Sequence, residues 1–110
     1  MGISRALRVG DRVLVSGTAP IWPDGSCDAD SGAQTRRCLE IIVAALEEAG
    51  ASAADVVRTR MFLTGEADLE AVAAVHAEVF GDVGPVSTMV VVEGFLDPRW
   101  KVEIEAEAQL

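Results

Sequence analysis

Three glutamates lie on one side of the last predicted strand, and they are the first candidates for chemistry in this sequence. Because the strand alternates strictly between apolar and polar residues, Glu103, Glu105 and Glu107 share its polar face. Like charges at this spacing repel unless each carboxylate is solvated or paired. Arg58 and Arg60 share one side of the third predicted strand and are the expected cross-strand partners. A solvated or ion-paired edge is the simplest interpretation of Glu105 and Glu107, whereas Glu103 stays open as a candidate catalytic residue.

Two further places could contact a ligand. Ser16-Gly17-Thr18 closes the second predicted strand, where glycine permits close backbone approach and its N–H could face a ligand oxygen. A plain strand end is the alternative interpretation. Ser16 has no Gly-x-Ser-x-Gly context, so a serine hydrolase is not predicted. His76, the only histidine, lies on or beside the apolar face of the second predicted helix, which is typical of a packed or interface residue.

The cysteines and tryptophans carry weaker signals. Cys27 and Cys38 match no zinc or redox spacing, so we expect packed or incidental thiols. Trp22 and Trp100 lie in predicted loops and could line a cleft or an interface. No phosphate loop, dinucleotide fingerprint or metal motif is present, so no metal site or nucleotide cofactor is predicted.

The elements that would position these residues follow the order strand, strand, helix, strand, helix, strand, strand. Gly10-Asp11 suits a two-residue hairpin turn between the first two strands. Ser31 with Gln34 fits a capping box at the start of the first helix, and Gly50 is placed to end it. The predicted strands are 5–9, 12–16, 56–63, 88–92 and 101–110, and the predicted helices run from 31 to about 49 and from 69 to about 80.

The apolar pattern of the strands predicts an oligomer. Two helices between strands suggest right-handed crossovers that place both helices on one face of the sheet. Residues 13–15 and 89–92 are nonetheless apolar on both faces, and such a sheet needs cover on both sides. We therefore expect another subunit to cover the second face, unless the loop 19–30 folds over it.

Composition limits the class of protein. A chain of 110 residues, half of them apolar, is enough for one domain, 1–110. No apolar run approaches the roughly 20 residues of a membrane span, and Arg5 and Arg8 interrupt the only candidate signal stretch. We therefore expect a cytoplasmic protein without a membrane partner. The net charge of −9 disfavours nucleic acid as a partner, because phosphate binding needs concentrated Lys and Arg.

Several short segments, taken in their order and spacing, match one known family. Together they resemble the RidA/YjgF family, also called endoribonuclease L-PSP, from about residue 4 to the end of the chain. The matching segments are 13–17 (VLVSG), 34–40 (QTRRCLE), 49–52 (AGAS), 55–57 (DVV), 62–64 (FLT) and 102–106 (VEIEA).

The resemblance implies a chorismate-mutase-like ββαβαββ fold of the α+β class and a homotrimer with clefts between subunits. It implies hydrolysis of reactive enamines and imines to ketoacids and ammonia without a cofactor. Glu103 matches the family's water-positioning glutamate, and Ser16 and Gly17 match a Ser-Gly pair that helps to close the pocket. The family's carboxylate-holding arginine belongs in a Pro-Ala-Arg-Ser motif, and Ser87 stands in its place here.

A serine hydroxyl cannot replace the charge of a guanidinium, so we expect a shifted specificity. Ser87 and Thr88 would donate hydrogen bonds to a neutral carbonyl or hydroxyl group, with Met89 in the same cleft. Arg99, in a loop one residue longer than the family pattern, is the candidate to supply the charge from another direction. The expected function is binding of a small carbonyl- or carboxylate-type metabolite, with Glu103 positioning water if the chain is a hydrolase.

Two alternatives stay open. One is an ordinary enamine/imine deaminase that works despite Ser87. The other is a non-catalytic interaction or chaperone-like trimer whose cleft is blocked by side chains such as Met89 or Trp100. Ribonuclease activity, the family's older label, is not expected because the chain is acidic.

Overall fold

Five strands and two helices follow the predicted ββαβαββ order in a computed structural model that describes residues 1–110. A single 3₁₀ turn, Ala53–Asp55, precedes the third strand. Neither helix combines the length and apolarity that a bilayer span requires. The elements are β1 (Ala6–Val9), β2 (Arg12–Thr18), α1 (Ser31–Glu48), β3 (Val56–Leu63), α2 (Leu69–Phe80), β4 (Val86–Val91) and β5 (Val102–Gln109).

The strands form one mixed sheet in the order β1-β2-β5-β3-β4. β2 and β3 both run antiparallel to β5, and β3 runs parallel to β4. Helices α1 and α2 are therefore the two crossovers between parallel strands, and they pack against each other on one face as predicted. Gly32 lies at this helix contact, since a Cβ there would be in ordinary van der Waals contact with Ala71 Cβ and Val75 Cγ2, both at 3.7 Å.

The core lies between the helices and this face of the sheet. The alternation predicted for β5 is confirmed, because its apolar residues are buried and its glutamates are not. Helix α1 contributes its stripe of apolar residues at helical spacing. The core side chains of these two elements are Val102, Ile104, Ala106, Ala108, Cys38, Leu39, Ile42, Ala45 and Leu46.

The second face of the sheet has no cover within the chain. Leu14, Val86 and Val90 lie on this face and are 39%, 59% and 42% exposed. All six residues of β4 are exposed, so this edge strand is bare on both faces. The predicted bare face is therefore confirmed, and it is called the open face below.

The loop 19–30 does not fill the open face, because it packs against α1. The Arg37 guanidinium lies 4.1 Å from the centre of the Trp22 ring. Arg37 Nε also donates to the Ile21 carbonyl at 2.9 Å, and Gln34 Nε2 donates to the Asp28 carbonyl at 2.8 Å. The loop 19–30 therefore does not provide the cover that was considered as the alternative to a second subunit.

Six predicted strand boundaries were wrong by one or two residues. β4 ends at Val91 rather than at residue 92, and β5 runs from Val102 to Gln109 rather than over 101–110. β1 begins at Ala6 rather than Arg5, and β2 continues to Thr18 rather than ending at Ser16. β4 begins at Val86 rather than Thr88, because parallel pairing with β3 already starts at Arg58. For β2 and β4, pairing with a strand distant in sequence sets these ends, so local preferences do not reveal them.

The predicted capping box of α1 was also wrong. The N-cap is Asp30, whose Oδ2 accepts the Ala33 backbone N–H at 2.8 Å. Ser31 is the first helical residue, and its Oγ instead accepts the Asp68 N–H at 3.0 Å, which joins α1 to the start of α2. The predicted C-terminal end of α1 is confirmed, because Gly50 follows the helix in the left-handed conformation, with φ 87°.

Asp30→Ala is expected to lower the free energy of unfolding by about 1 kcal/mol, because Ala33 N–H loses its acceptor. Urea denaturation followed by circular dichroism would measure the change. Asp30→Asn keeps an acceptor oxygen and should retain most of the stability. Equal losses in both variants would show that the negative charge, rather than the hydrogen bond, stabilises this helix end.

Candidate functional site

Two of the three glutamates on β5 are held in ion pairs. Arg60 Nη1 lies 2.7 Å from Glu105 Oε1, which confirms one of the two predicted cross-strand partners. Arg12 Nη2 lies 2.7 Å from Glu107 Oε2, whereas Arg58 makes none of the ion pairs of the chain. Glu105 and Glu107 thus form the ion-paired edge that the sequence predicted for them.

Glu103 differs from its two neighbours on the strand. Its side chain is partly buried and makes no hydrogen bond or ion pair within the chain. Burial raises the pKa of its carboxyl above the ordinary value, and the positive charge of Arg5 partly opposes this rise. A carboxylate with free oxygens and a raised pKa is suited to accept a proton from water.

The backbone of β2 is irregular beside Glu103. A β-bulge between Val15 and Thr18 interrupts the pairing with β5, and Ser16 and Gly17 lie in it. A Cβ on Gly17 would stand 3.9 Å from Glu103 Oε1, so the glycine leaves bare backbone next to the carboxylate. A small molecule can therefore approach the carboxylate oxygen along this backbone.

Arg5 is hydrogen-bonded to the bulge beside Glu103. Its Nη1 donates to Thr18 Oγ1 at 2.7 Å and, at longer range, to the Gly17 carbonyl at 3.3 Å and Ser16 Oγ at 3.4 Å. Ser16 Oγ in turn donates to the Arg5 carbonyl at 3.1 Å. We call these five residues, Arg5, Ser16, Gly17, Thr18 and Glu103, the Glu103 cluster.

A second polar group, the Ser87 cluster, consists of Ser87, Thr59 and His76. Thr59 is fully buried, and its Oγ1 lies 2.8 Å from Ser87 Oγ and 2.9 Å from His76 Nε2. Burial lowers the pKa of His76, whose ring packs at 4.9 Å from that of Phe80. With the Thr59 hydroxyl donating to Ser87, His76 Nε2–H donates to Thr59, and the Ser87 hydrogen is not needed for either contact.

The two clusters do not meet within one chain. Ser87 pairs with Thr59 and lies on the helix side of the sheet, whereas Glu103 pairs with Phe62 and lies on the open face. β3 also separates their strands. A cleft that contains both side chains therefore requires two copies of the chain.

The other candidate residues do not lie together either, because Thr88 and Met89 are on opposite faces of the sheet and Arg99 is in a loop. Thr88 lies opposite Arg60 on the open face, and Met89 shares the face of Ser87 and is 39% exposed. Arg99 Nη2 lies 2.7 Å from Asp97 Oδ2 and also donates to the Gly25 carbonyl at 3.2 Å. Its charge is thus engaged within the β4–β5 loop.

Comparison with known proteins gives the family. Residues 2–110 match the model of the endoribonuclease L-PSP family. This chain belongs to that family. The match spans both clusters, so all of their residues lie within the endoribonuclease L-PSP domain.

Relatives and solved structures agree with this family. An uncharacterized protein of Streptomyces coelicolor is 40% identical over 97% of this chain and 81% of its own length. A crystal structure of a YjgF/YER057c/UK114 family member from Mycobacterium tuberculosis is 44% identical, with a TM-score of 0.90 over 99% of this chain and 87% of its own. E. coli TdcF with bound serine is 29% identical, with a TM-score of 0.90 over 100% of this chain and 90% of its own.

In this endoribonuclease L-PSP family member, the role of Arg5 and the contact of buried Thr59 with half-buried His76 were not predicted from the sequence. A signal for Arg5 was available, since a two-residue turn at 10–11 places Arg5 opposite Ser16. The observed register, with Ala6 paired to Val15, agrees with that turn. No local signal joins Thr59 to His76, because α2 places the histidine over a strand that precedes it by 17 residues.

Proposed function

We propose that this chain forms a homotrimer that binds a small carbonyl- or carboxylate-type metabolite in clefts between subunits. In each cleft Glu103 positions a water molecule for hydrolysis of a carbon–nitrogen double bond. The observation that carries the proposal is the unpaired, partly buried Glu103 carboxylate beside the bare backbone of Gly17. Neither of the other glutamates on β5 is free in this way.

The bare surfaces of the sheet support a cleft between copies. The open face carries exposed apolar residues at both edges, and β4 is exposed on both faces. A second copy that covers β4 can bring its Glu103 cluster to the Ser87 cluster of the first. E. coli TdcF, whose fold this chain shares, has been crystallised with bound serine, so a small amino acid fits one member of the family.

The chemistry needs only protein groups and water. Glu103 accepts a proton from water while the water oxygen attacks the imine carbon, and the protonated Glu103 then delivers this proton to the imine nitrogen. The resulting carbinolamine transfers its hydroxyl proton, through Glu103, to the amino nitrogen, which leaves as ammonia as the carbonyl forms, so one water is consumed for each imine and Glu103 is regenerated. Ser87, with its hydrogen directed away from Thr59, donates to an oxygen of the bound molecule.

Ser87→Arg is expected to raise kcat/KM for imine hydrolysis about 10-fold. A charged guanidinium–carboxylate contact exceeds a hydroxyl contact by roughly 1.5 kcal/mol. The imine would be generated in place by an amino-acid dehydratase, and ketoacid release would be measured. Ser87→Met, which adds length without charge, is the matched control and should not gain.

The outcomes separate the competing functions. A gain confined to Ser87→Arg supports a cleft shared by Ser87 and Glu103. A wild-type rate that neither variant changes indicates an ordinary imine deaminase with its carboxylate held elsewhere. Absence of hydrolysis in all three proteins, with no ligand bound at Glu103, contradicts the proposal and favours an interaction trimer.

A further inference from the structure

We infer that His76 is a positioning residue for the proposed site: through the Thr59 hydroxyl, a proton on His76 Nε2 holds Ser87 as a hydrogen-bond donor toward the ligand. This inference rests on the proposed function, because Ser87 is the group that contacts the bound molecule there. It adds a residue that does not touch the ligand, and it couples proton binding on α2 to recognition on β4.

Three side chains form a continuous hydrogen-bonded chain from α2 to the outer strand β4. Thr59 Oγ1 lies 2.9 Å from His76 Nε2 and 2.8 Å from Ser87 Oγ. Thr59 is fully buried, whereas His76 is half-buried and Ser87 is exposed. The two ends of this chain are therefore accessible to protons or to a ligand, and its middle is not.

The burial of Thr59 decides the direction of these hydrogen bonds. Its hydroxyl hydrogen has two acceptors in reach, His76 Nε2 and Ser87 Oγ. When Nε2 carries a proton, it donates to Thr59, and the Thr59 hydrogen goes to Ser87 because an unpaired buried donor is costly. Ser87 then accepts from Thr59 and keeps its own hydrogen for the ligand.

The opposite direction is open only to a neutral imidazole whose proton is on Nδ1. Nε2 then accepts the Thr59 hydrogen, and Ser87 can donate to Thr59 and present only lone pairs to the ligand. Protonated His76 excludes this arrangement, because both of its ring nitrogens are donors. A proton on His76 thus fixes Ser87 as a donor, and a ligand oxygen bound to Ser87 favours that proton in return.

No charged side chain interferes with this coupling. Burial alone lowers the pKa of His76. β4 has no charged residue, and the helix-side residues of β5 are apolar. Charged side chains on the other packed elements are paired elsewhere or lie on the open face: Glu78 of α2 with Arg36 of α1, Asp55 of the 3₁₀ turn, and Arg58 and Arg60 of β3.

The first test needs no ligand and uses the fact that His76 is the only histidine. Imidazole nitrogen NMR of the tag-free protein over a pH titration gives its pKa and its tautomer. Ser87→Ala is expected to lower the pKa of His76 and to increase the share of the Nδ1–H tautomer, because the Thr59 hydrogen loses its acceptor on β4 and turns to Nε2. Thr88→Ala, the neighbouring change on the open face, is the matched control and should alter neither. An unchanged pKa and tautomer in Ser87→Ala would show that the two residues are not coupled.

The second test measures the affinity for pyruvamide, a neutral carbonyl probe, by isothermal titration calorimetry between about pH 8 and about pH 5. The gain in affinity at low pH is expected to be about 3-fold larger in wild type than in His76→Gln, because a charge-assisted donor acts through one hydroxyl. Thr59→Val should lose this extra gain, and Thr59→Ser, which keeps the hydroxyl, should retain it. Glu103 is present in all of these proteins, so its own titration cancels in the comparison.

The outcomes distinguish this inference from the proposed function. If pyruvamide binds with the same pH dependence in wild type and His76→Gln, the ligand site survives and the positioning role of His76 is wrong. If pyruvamide does not bind wild type at any pH, the proposed ligand site fails, and the role of His76 in recognition fails with it even where the NMR titration shows the coupling to Ser87. Uniform weakening at every pH in His76→Gln indicates a structural role of the imidazole and also overturns the inference.

Discussion

Replacing Glu103 by glutamine is expected to lower kcat/KM for imine hydrolysis by about 10²- to 10⁴-fold, the usual contribution of a positioned general base. Glutamine has almost the same shape, but its amide cannot accept a proton from water at neutral pH. The carboxylate has no partner to lose within the chain, so the effect isolates the chemistry. The measurement is the dehydratase-coupled release of ketoacid.

The matched control for this variant lies two residues away on the same face. Glu105→Gln removes a carboxylate that is paired with Arg60 at 2.7 Å, and it should change stability by about 1 kcal/mol or less. Hydrolysis should stay within about 3-fold of wild type, because this pair is outside the Glu103 cluster. Equal losses of activity in both variants would contradict a special role for Glu103.

The pH dependence of the Glu103→Gln variant provides a second readout. Because burial raises the folded-state pKa of Glu103, its ionisation opposes folding. Wild type and variant should have equal stability below the ordinary glutamate pKa, where the group is protonated in both states. As the pH rises through the folded-state pKa, wild type should become less stable than the variant. Activity of wild type should rise over the same interval, because hydrolysis needs the ionised carboxylate.

Replacing Gln34 by glutamate is expected to lower the free energy of unfolding by about 3–5 kcal/mol, as when a buried charge is left unpaired. Gln34 is fully buried, and its Nε2 donates to the carbonyls of Asp28 and Arg99 at 2.8 and 2.9 Å. Its Oε1 accepts the Lys101 N–H at 2.8 Å. Glutamate has the same shape but no donor, so two carbonyls would face a carboxylate oxygen.

Gln34 matters for the site because it fixes the chain just before Glu103. It joins α1, the loop 19–30 and the residues just before β5 by three hydrogen bonds. Gln109→Glu makes the same chemical change at an exposed position and should cost less than about 1 kcal/mol. Urea denaturation of both variants gives the comparison. A loss below 1 kcal/mol in Gln34→Glu would mean that the buried hydrogen bonds do not hold the start of β5.

The order and the faces of the elements were predictable from sequence, because they depend on local periodicity. β3 has the predicted bounds, 56–63, and the alternation of β5 placed its glutamates on one face. Gly50 ends α1 as predicted, since a left-handed residue after a helix favours glycine. The bare second face was also predictable from the sequence. Strand alternation and the handedness of the crossovers can both be inferred without knowledge of any tertiary contact.

Only the tertiary structure decided which groups are free to act. Three glutamates with the same local pattern differ because Arg12 and Arg60 reach two of them from strands 45 to 95 residues away, and no cation pairs with Glu103. The bulge that brings Arg5 and Gly17 to Glu103 arises from pairing between β2 and β5. Long-range register, and not local preference, decides these contacts. The same register places Ser87 and Glu103 on opposite faces, so a site that uses both depends on a second chain.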